Sequence, residues 1–150
     1  FMRVISGRAR GTKLKSIDSD KTRPTLDRVK ESLFNILQDW EEAEVLDLFA
    51  GSGALGIEAL SRGAKSATFC DCSFPSIQVL KENLEKTRFS SQAIILNVDF
   101  QKGLQELQGK EFDYIFLDPP YQTDYVQKAL QEIRQITTPK RKWNDCSGNR

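Results

Sequence analysis

Apolar and polar positions follow two different periods along most of the chain. Four short runs are nearly continuously apolar, as expected of strands buried on both faces: VLDLF (45–49), SATFCD (66–71), AIILNV (93–98) and FDYIFLD (112–118). The segments between and after them repeat apolar residues at helical spacing: 54–62, 75–88, 101–108 and 124–136. Strands that alternate with helices in this way predict an α/β domain, with a parallel sheet covered by helices on both faces.

Two further segments precede this alternation. Residues 2–16 alternate around Gly7 and Gly11, which predicts a small β-hairpin or extended arm, and we expect it to be an appendage. Residues 26–40 repeat apolar residues at helical spacing behind Thr25, a suitable N-cap, and predict a helix with one apolar face.

The tail breaks the pattern. Residues 137–150 hold one proline, four basic residues and one large apolar side chain, Trp143, and no strand is predicted there. We therefore expect one domain with a basic arm (2–22), a core (23–136) and an atypical tail (137–150), in which the C-terminal strands of the sheet are missing. A truncated or altered reading frame after about Ile136 is our hypothesis for the tail.

Composition narrows the function classes. With 39% hydrophobic and 29% charged residues, the chain has no stretch near the roughly 18 apolar residues of a membrane span, and we expect neither a signal peptide nor membrane binding. Its three cysteines are odd in number and lack CxxC spacing, and histidine is absent. We therefore expect no metal site, no disulfide framework and a cytoplasmic location. Without histidine, Ser-His-Asp and Cys-His nucleophilic catalysis are excluded.

The net charge of +1 conceals an uneven distribution. Residues 41–136 hold 9 basic and 15 acidic residues, whereas residues 1–15 hold five basic residues and no acid. A basic arm on an acidic core favours a polyanionic partner, and the alternative is a solvated hairpin that only aids solubility. The candidate RNA-binding residues are Arg3, Arg8, Arg10, Lys13 and Lys15.

The stretch LDLFAGSGALG (46–56) ends the first core strand in glycines spaced as in the dinucleotide fingerprint, G-x-G-x-x-G. Asp47 lies four residues before the first of these glycines, and its carboxylate, if directed to the pocket, would repel a pyrophosphate. A cationic ligand without phosphate, such as S-adenosylmethionine, suits this turn better. The alternatives are a tight turn without a ligand and an Asp47 that is only a buried hydrogen-bond acceptor.

The other predicted strands also end in polar residues. Asp71 follows Gly51 by 20 residues, the spacing of the acid that binds ribose hydroxyls, and Asp99 with Phe100 ends the third strand. Because ligands bind beyond the carboxyl ends of parallel strands, we expect these residues to converge at one edge of the sheet.

The fourth strand ends in Asp118-Pro119-Pro120-Tyr121. The two prolines hold the preceding residues extended, with carbonyls free to accept hydrogen bonds. Hydrogen bonds from a nucleobase amine to the Asp118 carboxylate and the Pro119 carbonyl would hold the amine less planar, with its lone pair directed at a methyl group. Tyr121 would stack on the base. The alternative is a rigid loop that only ends the strand.

DLFAGSGALG followed by LDPPY resembles the motif pair of the class I, S-adenosylmethionine-dependent amino-methyltransferases. RVISGRARGTKL and TRPTLDRVKESLFNIL resemble the bacterial family that methylates the guanine N2 amine in 16S ribosomal RNA, and the resemblance runs from Met2 to about Ile136. It implies a Rossmann-like sheet, S-adenosylmethionine as cofactor, and 16S ribosomal RNA or the small ribosomal subunit as partner. It also implies catalysis by Asp118, Pro119, Pro120 and Tyr121. The implied cofactor-binding residues are Arg23, Thr25, Arg28, Asp47, Phe49, Ala50, Gly51, Ser52, Gly53, Asp71, Cys72, Asp99 and Phe100.

Three other functions remain open from the sequence. A DNA adenine methyltransferase uses a similar acceptor loop, a dinucleotide oxidoreductase would explain the glycines and Asp71, and a truncated form would bind cofactor with little activity. We expect a monomer, with a dimer through an exposed edge of the fourth strand as the alternative.

Overall fold

The computed structural model describes residues 2–17, 34 and 39–117. The helices and strands of these residues are, in chain order, β1 (Met2–Arg3), β2 (Lys13–Leu14), β3 (Glu44–Asp47), α1 (Ala54–Ser61), β4 (Ser66–Cys70), α2 (Phe74–Thr87), a 3-10 turn (Ser90–Gln92), β5 (Ala93–Leu96), α3 (Phe100–Glu106) and β6 (Tyr114–Phe116). All four predicted core strands and three of the predicted helices are confirmed, with ends that differ by at most two residues. The helix predicted at 124–136, the tail, and all but Phe34, Asp39 and Trp40 of the helix at 26–40 lie outside the described residues.

Strands β3 to β6 form one parallel sheet in the order β5-β4-β3-β6. The chain moves outward from β3 through β4 to β5 and then crosses to the opposite side of β3. Val45 is paired with Ala67 on one side and with Tyr114 on the other. The strand order therefore reverses between β3 and β6, which is where ligands bind in open α/β sheets.

Alternate residues of the strands enter two buried layers. Val45 and Phe69 pack in the layer that also contains Leu80 of α2, whereas Leu46 packs in the opposite layer with Leu104 of α3. All five side chains are completely buried. Each contributes about 1.5–3 kcal/mol by leaving water. Burial on both faces explains why β3 and β6 lack the alternating pattern of a half-exposed sheet, whereas β5, at the edge, is partly exposed.

The arm is not the appendage expected from the sequence. β1 and β2 form an antiparallel pair, and the arm buries Val4, Ala9 and Leu14 in the same core layer as α1 and α2. The fully buried carboxylate of Glu58 accepts hydrogen bonds from Ile5 N (2.9 Å) and Ser6 N (3.0 Å). The arm is thus integrated into the domain, and the prediction failed because a glutamate in a helix gives no sign in the sequence of being buried.

No helix of the described residues is long and apolar enough to cross a membrane. Within the same residues, no group of three or more Cys, Asp or Glu side chains is arranged to hold a metal ion.

Candidate functional site

The turn after β3 is shaped by its glycines. Gly51 and Gly53 have φ angles of +56° and +86°, which L side chains rarely adopt. Gly53 is the N-cap of α1, and a Cβ on it would lie 2.2 Å from Leu80 Cδ1. A Cβ on Gly56 would lie 2.3 Å from Phe69 Cε1, so this glycine allows α1 to pack closely on β4. At Gly51, by contrast, the nearest atom of the described residues to an added Cβ is Ile17 Cδ1 at 3.6 Å, an ordinary van der Waals contact, so Gly51 is required for its φ angle and not for close packing.

Asp47 occupies the N-terminus of α1 with its carboxylate. Its Oδ2 accepts a hydrogen bond from Gly56 N at 3.2 Å, and the side chain is 2% exposed. Gly56 is the third residue of α1, and its N–H is one of the groups that a helix leaves without an intrahelical partner. Gly53 offers no side chain to cap it. The buried carboxylate therefore neutralises the helix end that would otherwise attract an anion.

Asp71, directly after β4, holds the glycine turn. One carboxylate oxygen accepts from Gly51 N at 2.8 Å, and the other accepts from Ser73 N at 2.8 Å. Ser73 in turn caps α2, since its hydroxyl accepts from Ser76 N. The acid predicted to bind ribose thus also fixes the position of the turn, at the carboxyl ends of β3 and β4.

Asp99 and two aromatic rings complete this edge. The Asp99 carboxylate caps α3 by accepting from Lys102 N at 2.9 Å. The rings of Phe49 and Phe100 lie 5.4 Å apart at an angle of 47°, and both are partly exposed. Residues that follow β3 and β5 are therefore in direct contact, and their rings offer an apolar surface to a planar group.

Cys70, the last residue of β4, lies near the same acids, and they affect the pKa of its thiol. Its pKa is raised from 9.0 to about 12, first by burial and then by the negative charges of Asp71 and Asp99, with a smaller effect from Asp47. Its Sγ contacts Val98 O at 3.5 Å. The thiol stays protonated and chemically inert at neutral pH. The neighbouring Cys72 is exposed at the candidate cofactor site.

The predicted cofactor residues from Asp47 to Gly53, with Asp71, Cys72, Asp99 and Phe100, are therefore brought to one edge of the sheet. The predicted Arg23, Thr25 and Arg28, and the loop from Asp118 to Tyr121, lie outside the described residues. Within the described residues, Ile17 lies 3.6 Å from an added Cβ on Gly51, and β6 pairs with β3.

The five basic residues of the arm are all exposed but differ in their contacts. Arg8 lies over the ring of Phe89, 4.8 Å from its centre, and donates to Gln92 Oε1 at 3.0 Å. Lys15 pairs with Glu82 at 3.1 Å. Arg8 therefore contacts residues just before the amino end of β5, whereas Lys15 lies near the glycine turn.

The strand order and the glycine turn are those of a Rossmann-like fold. The fold is that of the Rossmann-like methyltransferases, which are also found among the solved structures that it resembles. The carboxylate of Asp47 already occupies the N-terminus of α1, which disfavours a phosphate at this turn.

Comparison with known proteins identifies the family. The family described as "Conserved hypothetical protein 95" matches residues 2–141, and the chain belongs to it. The chain is 44% identical over 132 residues to ribosomal RNA small subunit methyltransferase D of Haemophilus influenzae, covering 86% of this chain and 68% of that protein. It is 39% identical over 130 residues to the protein of the same name from Escherichia coli K12, covering 86% of this chain and 65% of that protein.

A solved structure agrees with the sequence relatives. The chain superimposes on the hypothetical protein TTHA0928 of Thermus thermophilus with a TM-score of 0.81 and 30% identity, covering 93% of this chain and 81% of that one. The family resemblance inferred from the four motifs is thus confirmed, as is the Rossmann-like α/β fold.

Proposed function

We propose that this protein transfers a methyl group from S-adenosylmethionine to the N2 amine of a guanine in 16S ribosomal RNA. The observation that carries the proposal is the buried Asp47 carboxylate on the third N–H of α1. In dinucleotide-binding sheets this helix end binds a pyrophosphate. A carboxylate in its place repels a phosphate and attracts a cation. The names of the two ribosomal RNA methyltransferases at 44% and 39% identity support the RNA substrate.

Each residue at the edge of the sheet has a part in this reaction. Bound S-adenosylmethionine supplies an activated methyl group on a cationic sulfur. Asp47 and the turn from Phe49 to Gly53 bind its methionine side, and the Asp71 carboxylate binds the ribose. The rings of Phe49 and Phe100, with Asp99 beside them, flank the adenine. These positions fix the methyl group, so that most of the rate enhancement comes from orientation.

The acceptor loop and the arm hold the RNA. Asp118 and the Pro119 carbonyl accept hydrogen bonds from the guanine amine, and Tyr121 stacks on the base. Arg23, Thr25 and Arg28 cover the cofactor, in line with the approach of Ile17 to the glycine turn. The basic arm contacts the phosphate backbone of the RNA in the small ribosomal subunit. Transfer needs no general base, because the methylated ammonium loses its proton readily to water.

Calorimetric titrations test the choice of cofactor. We expect S-adenosylmethionine to bind and NAD not to bind under the same conditions. The variant Asp47→Asn keeps an acceptor for Gly56 N but loses the charge, so S-adenosylmethionine should bind about tenfold more weakly, equivalent to about 1.4 kcal/mol. Binding of NAD in preference to S-adenosylmethionine would refute the assignment.

The variant Asp118→Ala tests the acceptor loop. It should abolish methyl transfer and leave the Kd for S-adenosylmethionine within about threefold, a difference of less than about 1 kcal/mol. Undiminished transfer by this variant would exclude Asp118 from the reaction.

A further inference from the structure

A single buried amide connects the arm to the glycine turn. Asn83 lies in the second half of α2 and is completely buried. Its Oδ1 accepts from Lys15 N at 2.8 Å, and its Nδ2 donates both to Lys15 O and to Ser52 O, each at 2.9 Å. The amide therefore pairs with both backbone groups of one residue of the arm, as a neighbouring strand would, and also with the glycine turn.

The amide is matched to these three contacts, and similar side chains are not. Both of its N–H groups are used, since each donates to a different backbone carbonyl. Aspartate keeps an acceptor for Lys15 N but offers no donor. Leucine has a similar shape and offers neither. A buried carbonyl or N–H that loses its partner is costly, so the identity of residue 83 determines how the two backbone segments are held.

The contacts of Asn83 join two segments with different predicted tasks. Ser52 lies between Gly51 and Gly53, whose φ angles are positive, within the turn to which the proposed function assigns the cofactor. Lys15 ends the described basic part of the arm, and its side chain pairs with Glu82 on the same helix as Asn83. Lys86, one turn further along, donates from Nζ to Lys13 O at 2.8 Å. Helix α2 thus holds the end of the arm beside the turn.

We propose that Asn83 is a positioning residue that couples the arm to the cofactor-binding turn. It fixes the position of Ser52 relative to Lys15, so that the RNA-contacting arm and the cofactor are held in one geometry. The inference rests on the proposed function for the identity of the two ligands, whereas the coupling of the two backbone segments rests on the hydrogen bonds alone.

Hydrogen exchange measures the coupling without any ligand. In the variant Asn83→Leu, exchange of the Lys15 and Gly53 amides should be at least about tenfold faster than in the native protein, equivalent to about 1.4 kcal/mol of lost protection. The matched control is Thr87→Val on the same helix. Among the described residues, the buried Thr87 hydroxyl donates to Asn83 O and Leu84 O within α2, so its loss affects the helix and leaves the hydrogen bonds of Lys15 and Ser52 in place. If the leucine variant does not fold, Asn83→Asp replaces it, and the Gly53 amide is then the one expected to exchange faster.

Ligand measurements on the same variants separate positioning from general stability. Asn83→Leu should raise the Kd for S-adenosylmethionine and the KM for small ribosomal subunits about tenfold each, with kcat within about threefold. Thr87→Val should change none of these. Equal exchange and equal Kd in the two variants, below their melting temperatures, would overturn the inference. If the native protein does not bind S-adenosylmethionine although the Lys15 and Gly53 amides respond as expected, the proposed function fails and the coupling stands.

Discussion

Replacing Gly53 by alanine tests how the glycine turn is built. Two costs add. A non-glycine residue in the left-handed region at φ +86° loses about 1–2 kcal/mol. The new Cβ would also lie 2.2 Å from Leu80 Cδ1 and 3.3 Å from Ile57 Cδ1, and both side chains are completely buried. Overpacking of this kind costs about 1–3 kcal/mol. The sum is a loss of about 2–5 kcal/mol in the free energy of unfolding, or roughly 5–15 °C in Tm for a domain of this size.

Gly109→Ala is the matched control. Gly109 has nearly the same φ, +87°, but no atom of the described residues lies within 4 Å of its added Cβ. It therefore carries the backbone cost alone, and both variants share the same effect on the unfolded chain. Urea unfolding followed by circular dichroism should show Gly53→Ala to be less stable than Gly109→Ala by about 1–3 kcal/mol. Equal losses in the two variants would show that the turn does not pack on α2 as described.

Two further predictions concern the acids and the thiol around the sheet. Because the Cys70 thiol keeps its proton up to a pKa of about 12 in the folded protein but only to 9.0 when unfolded, stability should fall by up to about 1.4 kcal/mol per pH unit between these values. Cys70→Ala should remove that part of the decline in stability. Urea unfolding at several pH values measures the free energy of unfolding of both proteins. The same dependence on pH in both would refute the raised pKa of the buried thiol. Glu58→Gln should cost about 3 kcal/mol, because a buried acceptor of two arm N–H groups and the Arg62 ion pair are weakened together. Trypsin should then cut the arm at Arg8 or Arg10 faster than in the native protein, and unchanged cleavage would show that Glu58 does not anchor the arm.

The sheet could be predicted from the sequence because three of its strands, β3, β4 and β6, are buried on both faces. Runs such as VLDLF and YIFL have no regular alternation of polar and apolar residues, which predicts buried strands at these positions. The main error in predicting the sheet was in the residues at which the strands end. β3 stops at Asp47 rather than Phe49, because Leu48 and Ala50 leave the regular ladder while still donating to Phe116 O and Cys70 O.

The contacts that hold the site residues in place were harder to predict from the sequence. Asp47 was identified by its place before the glycines, but only the fold shows that its carboxylate caps α1. Glu58 and Asn83 look like ordinary helix residues in the sequence, yet both are completely buried and hold the arm. Such roles depend on segments some 50 to 70 positions apart, and local patterns carry no information about them. The predicted residues at 23–28 and 118–121 remain predictions.

Methyl transfer to guanine N2 is tested most directly by following the methyl group itself. Radiolabelled S-adenosylmethionine should be incubated with the protein and small ribosomal subunits from cells that lack this modification, and the RNA then digested to nucleosides. We predict that the label is found in N2-methylguanosine of the 16S RNA and that it is absent with Asp118→Ala. Two results would contradict methyl transfer to guanine N2. One is label in methyladenine when duplex DNA is the substrate, and the other is unlabelled subunits although the protein binds S-adenosylmethionine.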